Sequence, residues 1–248
     1  MQEEKNDAVI YYSVKYQGDW DSIGRALINH EPYEKLNLKE KAVTIFDPRY
    51  PVSLRRLRFP PWVFFYRGEL GLLYKKGITI VGSRNLEPYA AHMTKHIVES
   101  VGKKYVIVSG LAKGVDAIAH ASAIKCGART IGVIGCGLDV IYPRENRILY
   151  ENMEKNHLII TEYPNGTKPL RHHFPWRNRM LAAMGEKTIV TEAALHSGTM
   201  NTVNEAISLS REVWCLPYPY GDESGRGCDL LISQGANILY EEAQLETL

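Results

Sequence analysis

The sequence predicts an α/β protein with a doubly wound, mostly parallel β-sheet and a short helical segment at the N-terminus. Three observations support this fold class. From residue 78 onward, short β-branched runs alternate with helical patterns, as in right-handed βαβ units. A glycine-containing turn separates the members of each pair. Runs such as Ile78–Gly82 are predominantly apolar, as expected for strands that helices cover on both faces.

The elements follow in order along the chain. Asp7–Tyr16 and Asp19–His30 have the patterns of two short helices, and a proline-broken, arginine-rich stretch follows them. Each β-branched run predicts one strand, and the strands lie at Ile78–Val81, Val106–Ser109, Thr130–Ile134, Leu158–Thr161, Thr188–Thr191 and Val213–Leu216. Helices are predicted between them, at Pro88–Val101, Val115–Lys125, Glu145–Asn156, Asn178–Ala183 and Thr199–Leu209. We therefore divide the chain into a helical segment over residues 1–40 and a sheet domain over residues 41–248.

The composition limits the function classes. With 45 % hydrophobic residues, the 248-residue chain suffices for one large domain and a small appendage. The chain has 30 Lys and Arg residues and 28 Asp and Glu residues, which gives a net charge of only +2. Any surface that binds nucleic acid must therefore be a local concentration of positive charge. The N-terminus is acidic and no apolar run approaches about 18 residues, so neither a signal peptide nor a membrane span is supported.

The cysteines also bear on the compartment. The four cysteines lie far apart with no C-x-x-C pair, at Cys126, Cys136, Cys215 and Cys228. This spacing argues against a zinc site or a disulfide framework and suits a reducing cytosol. We expect a cytoplasmic protein without a metal ion or another cofactor.

Two strand-to-helix turns early in the sheet domain could hold an anion. In Val81–Arg84 (V-G-S-R), Gly82 permits a tight turn, the amides of the coming helix favour a phosphate, and Arg84 adds a guanidinium fork. A solvated Arg84 beside a merely structural glycine is an equally open interpretation. In Ser109–His120, the Lys-Gly order without a following Ser or Thr breaks the P-loop pattern. ATP hydrolysis is therefore not supported.

Asp116 and His120 are four residues apart on the helix predicted after the second turn, so they share a face. Without a third ligand nearby, we interpret them as a local side-chain pair rather than a metal or acid–base site. The next turn, Gly135–Asn146, has two glycines that permit close approach of a ligand. Its Arg144 either contacts a phosphate or is solvated.

The most informative segment is Lys168–Arg179. No acidic residue occurs from Tyr163 to Gly185, whereas cations and aromatic residues are interleaved there: Lys168, Arg171, Phe174, Trp176, Arg177 and Arg179. Cations that neutralise phosphates, beside rings that stack on bases at about 1–3 kcal/mol per base, are the two ingredients of single-strand binding. The alternative is that both rings pack into the core and the arginines are solvated.

Two further segments carry weaker patterns. Pro48–Gly68 is also free of acidic residues and carries Arg49, Arg55, Arg56, Arg58 and Arg67, but the spacing of its apolar residues indicates a solvated structural face. Thr191–Thr202 places Ser197 and Gly198 ahead of a helix, which again offers free amides to an anion. Glu192 is the one carboxylate in these loops that suggests catalysis.

Together the motifs resemble the DprA/Smf family of DNA-processing proteins. The similar segments occur in family order over about residues 42–240 and include Asp47–Pro51, Glu162–Pro169 and Ser197–Thr202 besides the turns above. The resemblance implies an extended Rossmann-like fold that binds single-stranded DNA without sequence preference and without catalysis. It also implies a homodimer that protects incoming DNA and helps to load the RecA recombinase during natural transformation and recombination.

The resemblance places DNA binding at the loop ends of the sheet. The implied residues are Ser83, Arg84, Phe174, Arg177, Asn178 and Arg179, with Arg144 and Lys168 as flanking cationic contacts. Ser109 and Gly110, at the second turn, complete the predicted set. We expect Arg84 and Arg179 at neighbouring loop ends, where both face the same DNA backbone.

The chain departs from the family in its short N-terminal helical part, and we expect the C-terminal winged-helix domain of some members to be absent. The main rival is a nucleoside-monophosphate phosphoribohydrolase, whose motif P-G-G-x-G-T-x-x-E ends in a catalytic glutamate. Aligning Gly198 and Thr199 with that motif places Thr202 where the glutamate should be. The sequence therefore favours a binding protein over this enzyme.

Overall fold

A computed structural model describes residues 2–248 and shows one nine-stranded sheet. The spatial order of the strands is β1-β2-β6-β5-β4-β3-β7-β8-β9. Their bounds are Lys41–Thr44, Val63–Gly68, Gly77–Gly82, Val106–Ser109, Thr130–Val133, Leu158–Thr161, Lys187–Glu192, Glu212–Cys215 and Asn237–Ile238, for β1 to β9. Strands β3 to β9 are parallel, while β2 pairs antiparallel with both β1 and β6. The sheet is mostly parallel, as predicted.

Ten α-helices surround this sheet in the described part of the chain. They are α1 to α10, at Gln2–Lys15, Trp20–Ile28, Val52–Arg55, Pro88–Val101, Val115–Lys125, Arg147–Asn156, His173–Met184, Gly198–Ser208, Arg226–Ser233 and Glu242–Thr247. The core residues of α4, α5 and α10 cluster with one face of the sheet. Those of α3, α7, α8 and α9 cluster with the other face. Helices on both faces confirm the doubly wound architecture.

The six predicted strands are present with ends that differ by at most one residue. Strands β1, β2 and β9 were not predicted. Helices α3, α9 and α10 were not predicted, α1 begins at Gln2 rather than at Asp7, and α7 begins at His173 rather than at Asn178. Pro175 is the third residue of this helix, where a backbone N–H would have no intrahelical partner, so the proline does not prevent helix formation.

The short N-terminal helices pack against the sheet through apolar and aromatic side chains. Val9 of α1 is fully buried and belongs to the same cluster as Val63 and Phe65 of β2. The rings of Trp20 and Trp62 stack at 5.3 Å between centroids. No helix within residues 2–248 is long and apolar enough to cross a membrane.

The strand order reverses at β3. From β3 the chain proceeds to β4, β5 and β6 on one side, whereas β7 and β8 lie on its other side. Helix α4, which follows β3, and helix α8, which follows β7, belong to opposite faces of the sheet. In sheets of this type, ligands bind at the carboxyl edge where such a reversal opens a crevice.

Candidate nucleic-acid interface

A cleft of about 580 Å³ opens at this reversal, at the carboxyl ends of the parallel strands. Its walls come from three segments that are distant in sequence: the loop Gly82–Asn85 after β3, the N-terminal half of α7, and the start of α8. A smaller cavity of about 100 Å³ adjoins it, between Arg84, Tyr142 and Phe174. The carboxyl edge therefore offers a continuous concave surface.

A cation and two aromatic rings form a cluster at the mouth of the cleft. The guanidinium of Arg84 lies over the Phe174 ring, 5.5 Å from its centroid. The Tyr142 ring lies 5.5 Å from that of Phe174, with a tilt of 37° between the planes. Arg84 is exposed, Tyr142 is 42 % exposed and Phe174 is half-buried. We call these three residues the Arg84–Tyr142–Phe174 cluster, and both of its rings are at least partly exposed.

Tyr142 was missed in the sequence analysis. It belongs to the third glycine-containing turn, next to Pro143 and Arg144, where only the arginine was considered. An exposed aromatic residue beside a candidate phosphate contact is the pattern that could have identified it.

Backbone contacts fix the loop that carries Arg84. The amide of Ser83 donates to the Glu192 carbonyl at 2.9 Å, and the Ser83 carbonyl accepts from the Val115 amide at 3.1 Å. Gly114 has φ of +74°, and a Cβ at this position would lie 2.2 Å from the Ser83 carbonyl oxygen. The loop is therefore clamped between β7 and the start of α5, and Gly114 is required for that close approach.

The N-terminus of α8 faces the cleft with unused hydrogen-bonding capacity. Ser197 is the N-cap residue, but its side chain caps no backbone amide. Within residues 2–248 the buried Ser197 Oγ has no hydrogen-bond partner. The first amides of an 11-residue helix add to it and favour an anion. An anion site at Ser197 and Gly198 stays a prediction.

A buried polar group forms the floor of the cleft. The Arg177 guanidinium is 4 % exposed and donates from Nη1 to the carbonyls of Gly110, at 2.8 Å, and Val133. Asp116 Oδ2 accepts from the amides of Gly110 and Ala112, at 3.1 and 3.3 Å. Burial raises the pKa of Asp116 and lowers that of Arg177, while the charge of each group opposes the shift of the other.

Two expectations about this floor need correction. Asp116 and His120 do not form a pair, since Asp116 bonds to backbone amides and the His120 ring bonds through Nδ1 to Thr130 Oγ1 at 2.7 Å. Gly110 is needed for close packing inside the protein, because a Cβ there would lie 2.5 Å from Arg177 Nη1. Ser109 is fully buried, and its hydroxyl donates to the Ile80 carbonyl at 2.7 Å.

The placement of Arg179 at a loop end beside Arg84 was wrong. Arg179 lies inside α7, is 3 % exposed and forms a bidentate ion pair with Glu162, with N···O distances of 2.7 and 2.6 Å. Its Nε donates to the Phe59 carbonyl at 2.9 Å, and its guanidinium lies 4.1 Å from the Trp176 ring centroid. All three nitrogens thus donate to protein acceptors. The helical position of Arg179 directs it into the protein.

The other predicted residues divide by exposure. Asn178 is buried and its Nδ2 donates to the Gly198 carbonyl at 3.3 Å, which joins α7 to the start of α8. Arg144 and Lys168 are exposed, as Arg84 is. Within residues 2–248 none of these three cations has a carboxylate at ion-pair distance, and the same holds for the exposed Arg171. Arg84 and Arg171 thus line the cleft as unpaired cations, and Arg144 and Lys168 lie next in sequence to residues that line the two cavities, Pro143 and Pro169.

Glu192 lies outside the lining of the cleft. Its side chain is 1 % exposed, and its Oε2 accepts a hydrogen bond from the Glu87 amide at 3.0 Å, at the start of α4. Burial raises the pKa of this carboxyl group. The described residues contain no group of three or more His, Cys, Asp or Glu side chains arranged to hold a metal ion.

Comparison with known proteins gives consistent similarities. The sequence model of the family described as DNA recombination-mediator protein A matches residues 41–247. The chain is similar to the DNA processing protein DprA of Streptococcus pneumoniae, with 38 % identity over 201 residues, which are 81 % of this chain and 71 % of that protein.

Solved structures extend the similarity to the fold. The crystal structure of DprA from Streptococcus pneumoniae aligns with a TM-score of 0.83 and 32 % identity, over 98 % of this chain and 92 % of the other. A structure that concerns the single-stranded DNA binding mode of DNA processing protein A from Helicobacter pylori aligns with a TM-score of 0.77 and 28 % identity, over 85 % and 96 % of the two chains. The extended Rossmann-like sheet is thereby confirmed.

The burial of Arg179 predicts the effect of removing it. We expect Arg179→Ala to lower the free energy of unfolding by about 3–5 kcal/mol, because Glu162 is left as an uncompensated buried charge. Arg171→Ala, which removes an exposed and unpaired guanidinium just before α7, should change stability by less than about 0.5 kcal/mol. Urea unfolding of both variants measures the difference. An Arg179→Ala protein as stable as the wild type would show that the buried pair does not hold α7.

Proposed function

Because the chain belongs to the DNA recombination-mediator protein A family, which includes the DprA and Smf proteins, we propose that it binds single-stranded DNA without sequence preference in the cleft between the ends of β3 and β7. It acts there as a binding protein rather than an enzyme. The observation that carries this proposal is the Arg84–Tyr142–Phe174 cluster, which combines a cation with two partly exposed rings at the mouth of the cleft.

This chemistry suits single strands. Every base has a face that can stack on an aromatic ring, so stacking tolerates any sequence, whereas the bases of a duplex are already stacked on one another. Phosphates of the same strand would pair with the cations around the cleft, namely Arg84, Arg144, Lys168 and Arg171. The free amides of α8 and Ser197 Oγ provide one further position for a phosphate. The similarity to the Helicobacter pylori protein, whose structure concerns single-stranded DNA binding, supports this class of ligand.

The predicted binding residues fall into two roles in this proposal. Ser83, Arg84, Arg144, Lys168 and Phe174 lie where a strand would pass and are assigned direct contact. The remaining five are buried and support this surface structurally: Ser109, Gly110, Arg177, Asn178 and Arg179. Their side chains bond to backbone or carboxylate groups of the protein, and Gly110 permits the close packing between them.

The wider role rests on family membership. We place the protein in the cytoplasm as a homodimer that protects incoming single-stranded DNA and helps to load RecA onto it during natural transformation and recombination. The binding experiments below test the DNA contact on which this role depends.

Arg84 and Phe174 should contribute to binding in different ways. Arg84→Ala should weaken binding to oligo-dT and make the salt slope shallower by about 0.7, the value for one phosphate on a single strand. Phe174→Ala should cost about 1–3 kcal/mol of binding free energy at an almost unchanged slope, because an apolar contact releases no counterion. Fluorescence anisotropy titrations over a range of salt concentrations measure both effects.

Three controls make these titrations decisive. Thermal melts must show that both variants are folded. Arg226→Ala removes an exposed arginine that pairs with Glu223 and should leave binding unchanged. Duplex DNA of equal length should bind far more weakly than oligo-dT, and equal affinity for the two forms would contradict the proposed single-strand site.

The protein should not release a free base from nucleoside monophosphates. The only carboxylate that suggested catalysis, Glu192, is buried and engaged by the Glu87 amide. Chromatography of reactions with the wild type and Glu192→Gln should show equal, background amounts of base. Turnover by the wild type that disappears in Glu192→Gln would favour the hydrolase instead.

A further inference from the structure

The exposed arginines without an ion pair are concentrated in two places. Six arginines have a carboxylate partner: Arg49, Arg67, Arg129, Arg147, Arg179 and Arg226. Among the described residues, seven exposed arginines have none: Arg25, Arg55, Arg56, Arg58, Arg84, Arg144 and Arg171. Three of these seven surround the cleft. Another three lie together in the β1–β2 connection, in a stretch that the proposed function does not use.

The topology places this connection on the same edge of the sheet as the cleft. Strand β2 pairs antiparallel with both β1 and β6, so β1 runs in the same direction as the parallel strands. The chain leaves β1 at Thr44 and enters β2 at Val63, and these two residues are paired. The connection therefore leaves and re-enters the sheet at the carboxyl edge, where Arg55 donates to the carbonyl of Ile45, directly after β1, and Phe59, next to Arg58, contacts Trp176 of α7.

Aromatic side chains lie between the two groups of arginines. The guanidinium of Arg58 lies 5.0 Å from the centroid of the Phe59 ring, and Phe59 lies 5.6 Å from Trp176 of α7. Both rings are partly exposed. Trp176 is two residues from Phe174, whose ring faces the cleft. Two residues apart on a helix, the rings of Trp176 and Phe174 lie on different sides of the first turn of α7, so this turn separates the cleft from Arg58.

The structure also explains why these arginines remain unpaired. From Pro48 to Gly68 there is no acidic residue, and the nearest carboxylate upstream, Asp47, is already occupied by Arg49 at 2.7 Å. Arg55 donates to the Ile45 carbonyl, at 2.8 Å, and lies over the Tyr50 ring. Arg56 and Arg58 are exposed and have no carboxylate partner within residues 2–248.

We infer that the β1–β2 arginines, above all Arg56 and Arg58, form a second contact for the DNA backbone and extend the strand's path beyond the cleft. This inference rests on the proposed function, since it takes the ligand in the cleft to be single-stranded DNA. Cations beside partly exposed rings are the same combination that the cleft presents. The consequence is a dependence of affinity on strand length, because only a strand long enough to extend past the cleft would reach Arg58.

The test compares two oligo-dT lengths, about 6 and about 25 nucleotides, spanning a range of known single-strand site sizes. Arg56→Ala/Arg58→Ala should leave the affinity for the short strand within about twofold of the wild type. For the long strand the salt slope should become shallower by about 1.4, which is two phosphates at about 0.7 each. If the variant and the wild type bind equally at 1 M salt, this change of slope corresponds to a loss of affinity of roughly 25-fold at 0.1 M salt.

Lys75→Ala/Lys76→Ala is the matched control. It removes two exposed cations that precede β3 at the opposite edge of the sheet, and it should affect neither strand length. Arg84→Ala should weaken both lengths, because both fill the cleft.

The outcomes separate the two proposals. If the wild type binds neither strand, the proposed function fails and the inference with it. If the wild type binds both strands and Arg56→Ala/Arg58→Ala changes neither affinity, the proposed function stands and the inference is overturned. The two arginines would then be available to bind an acidic protein surface instead. An equal loss at both lengths, or the same loss in the lysine control, also overturns the inference.

Discussion

Two buried guanidinium groups on α7 fix the architecture of the candidate site. Arg177 donates to the carbonyl of Gly110, the first residue after β4, and to the carbonyl of Val133, the last residue of β5. Arg179 forms the bidentate pair with Glu162, the first residue after β6. Burying such charges costs several kcal/mol each unless their hydrogen bonds are supplied, so these contacts tolerate little displacement. The helix is thereby held against three strand ends, and its first turn presents Phe174 to Arg84 and Tyr142.

The same constraint explains how a nearly neutral protein can offer a cationic surface. The whole chain has a net charge of +2. The two buried arginines serve the protein, and several exposed arginines, such as Arg129, Arg147 and Arg226, form ion pairs. The segments around α3 and α7 lack acidic residues, however, and Arg55, Arg56, Arg58 and Arg171 have no carboxylate partner within residues 2–248. Local sequence composition determines the electrostatic potential here, and the net charge of the chain does not.

The sequence predicted the sheet domain well because parallel strands covered on both faces leave a strong apolar pattern. Strand β1 is short and only half-buried, so it lacks that pattern. Strand β2 does contain an apolar run, Val63–Tyr66, but this run was interpreted as part of a solvated structural face. Helix α7 begins before its predicted start at Asn178 and includes Pro175, because a proline is compatible with the first turn of a helix. Exposure was the least predictable feature of the site. Arg171, Arg177 and Arg179 lie within nine residues of the chain, yet only packing against the strand ends decides which of them reach solvent.

The central claim is that a single strand lies on the Arg84–Tyr142–Phe174 cluster, and photo-crosslinking tests it most directly. Oligo-dT that contains 4-thiothymidine is irradiated in complex with the protein, and the modified residues are identified by peptide mass spectrometry. We expect adducts on Phe174 and Tyr142 at the carboxyl edge. Adducts confined to the opposite edge of the sheet, near Lys75 and Lys104, would contradict the account.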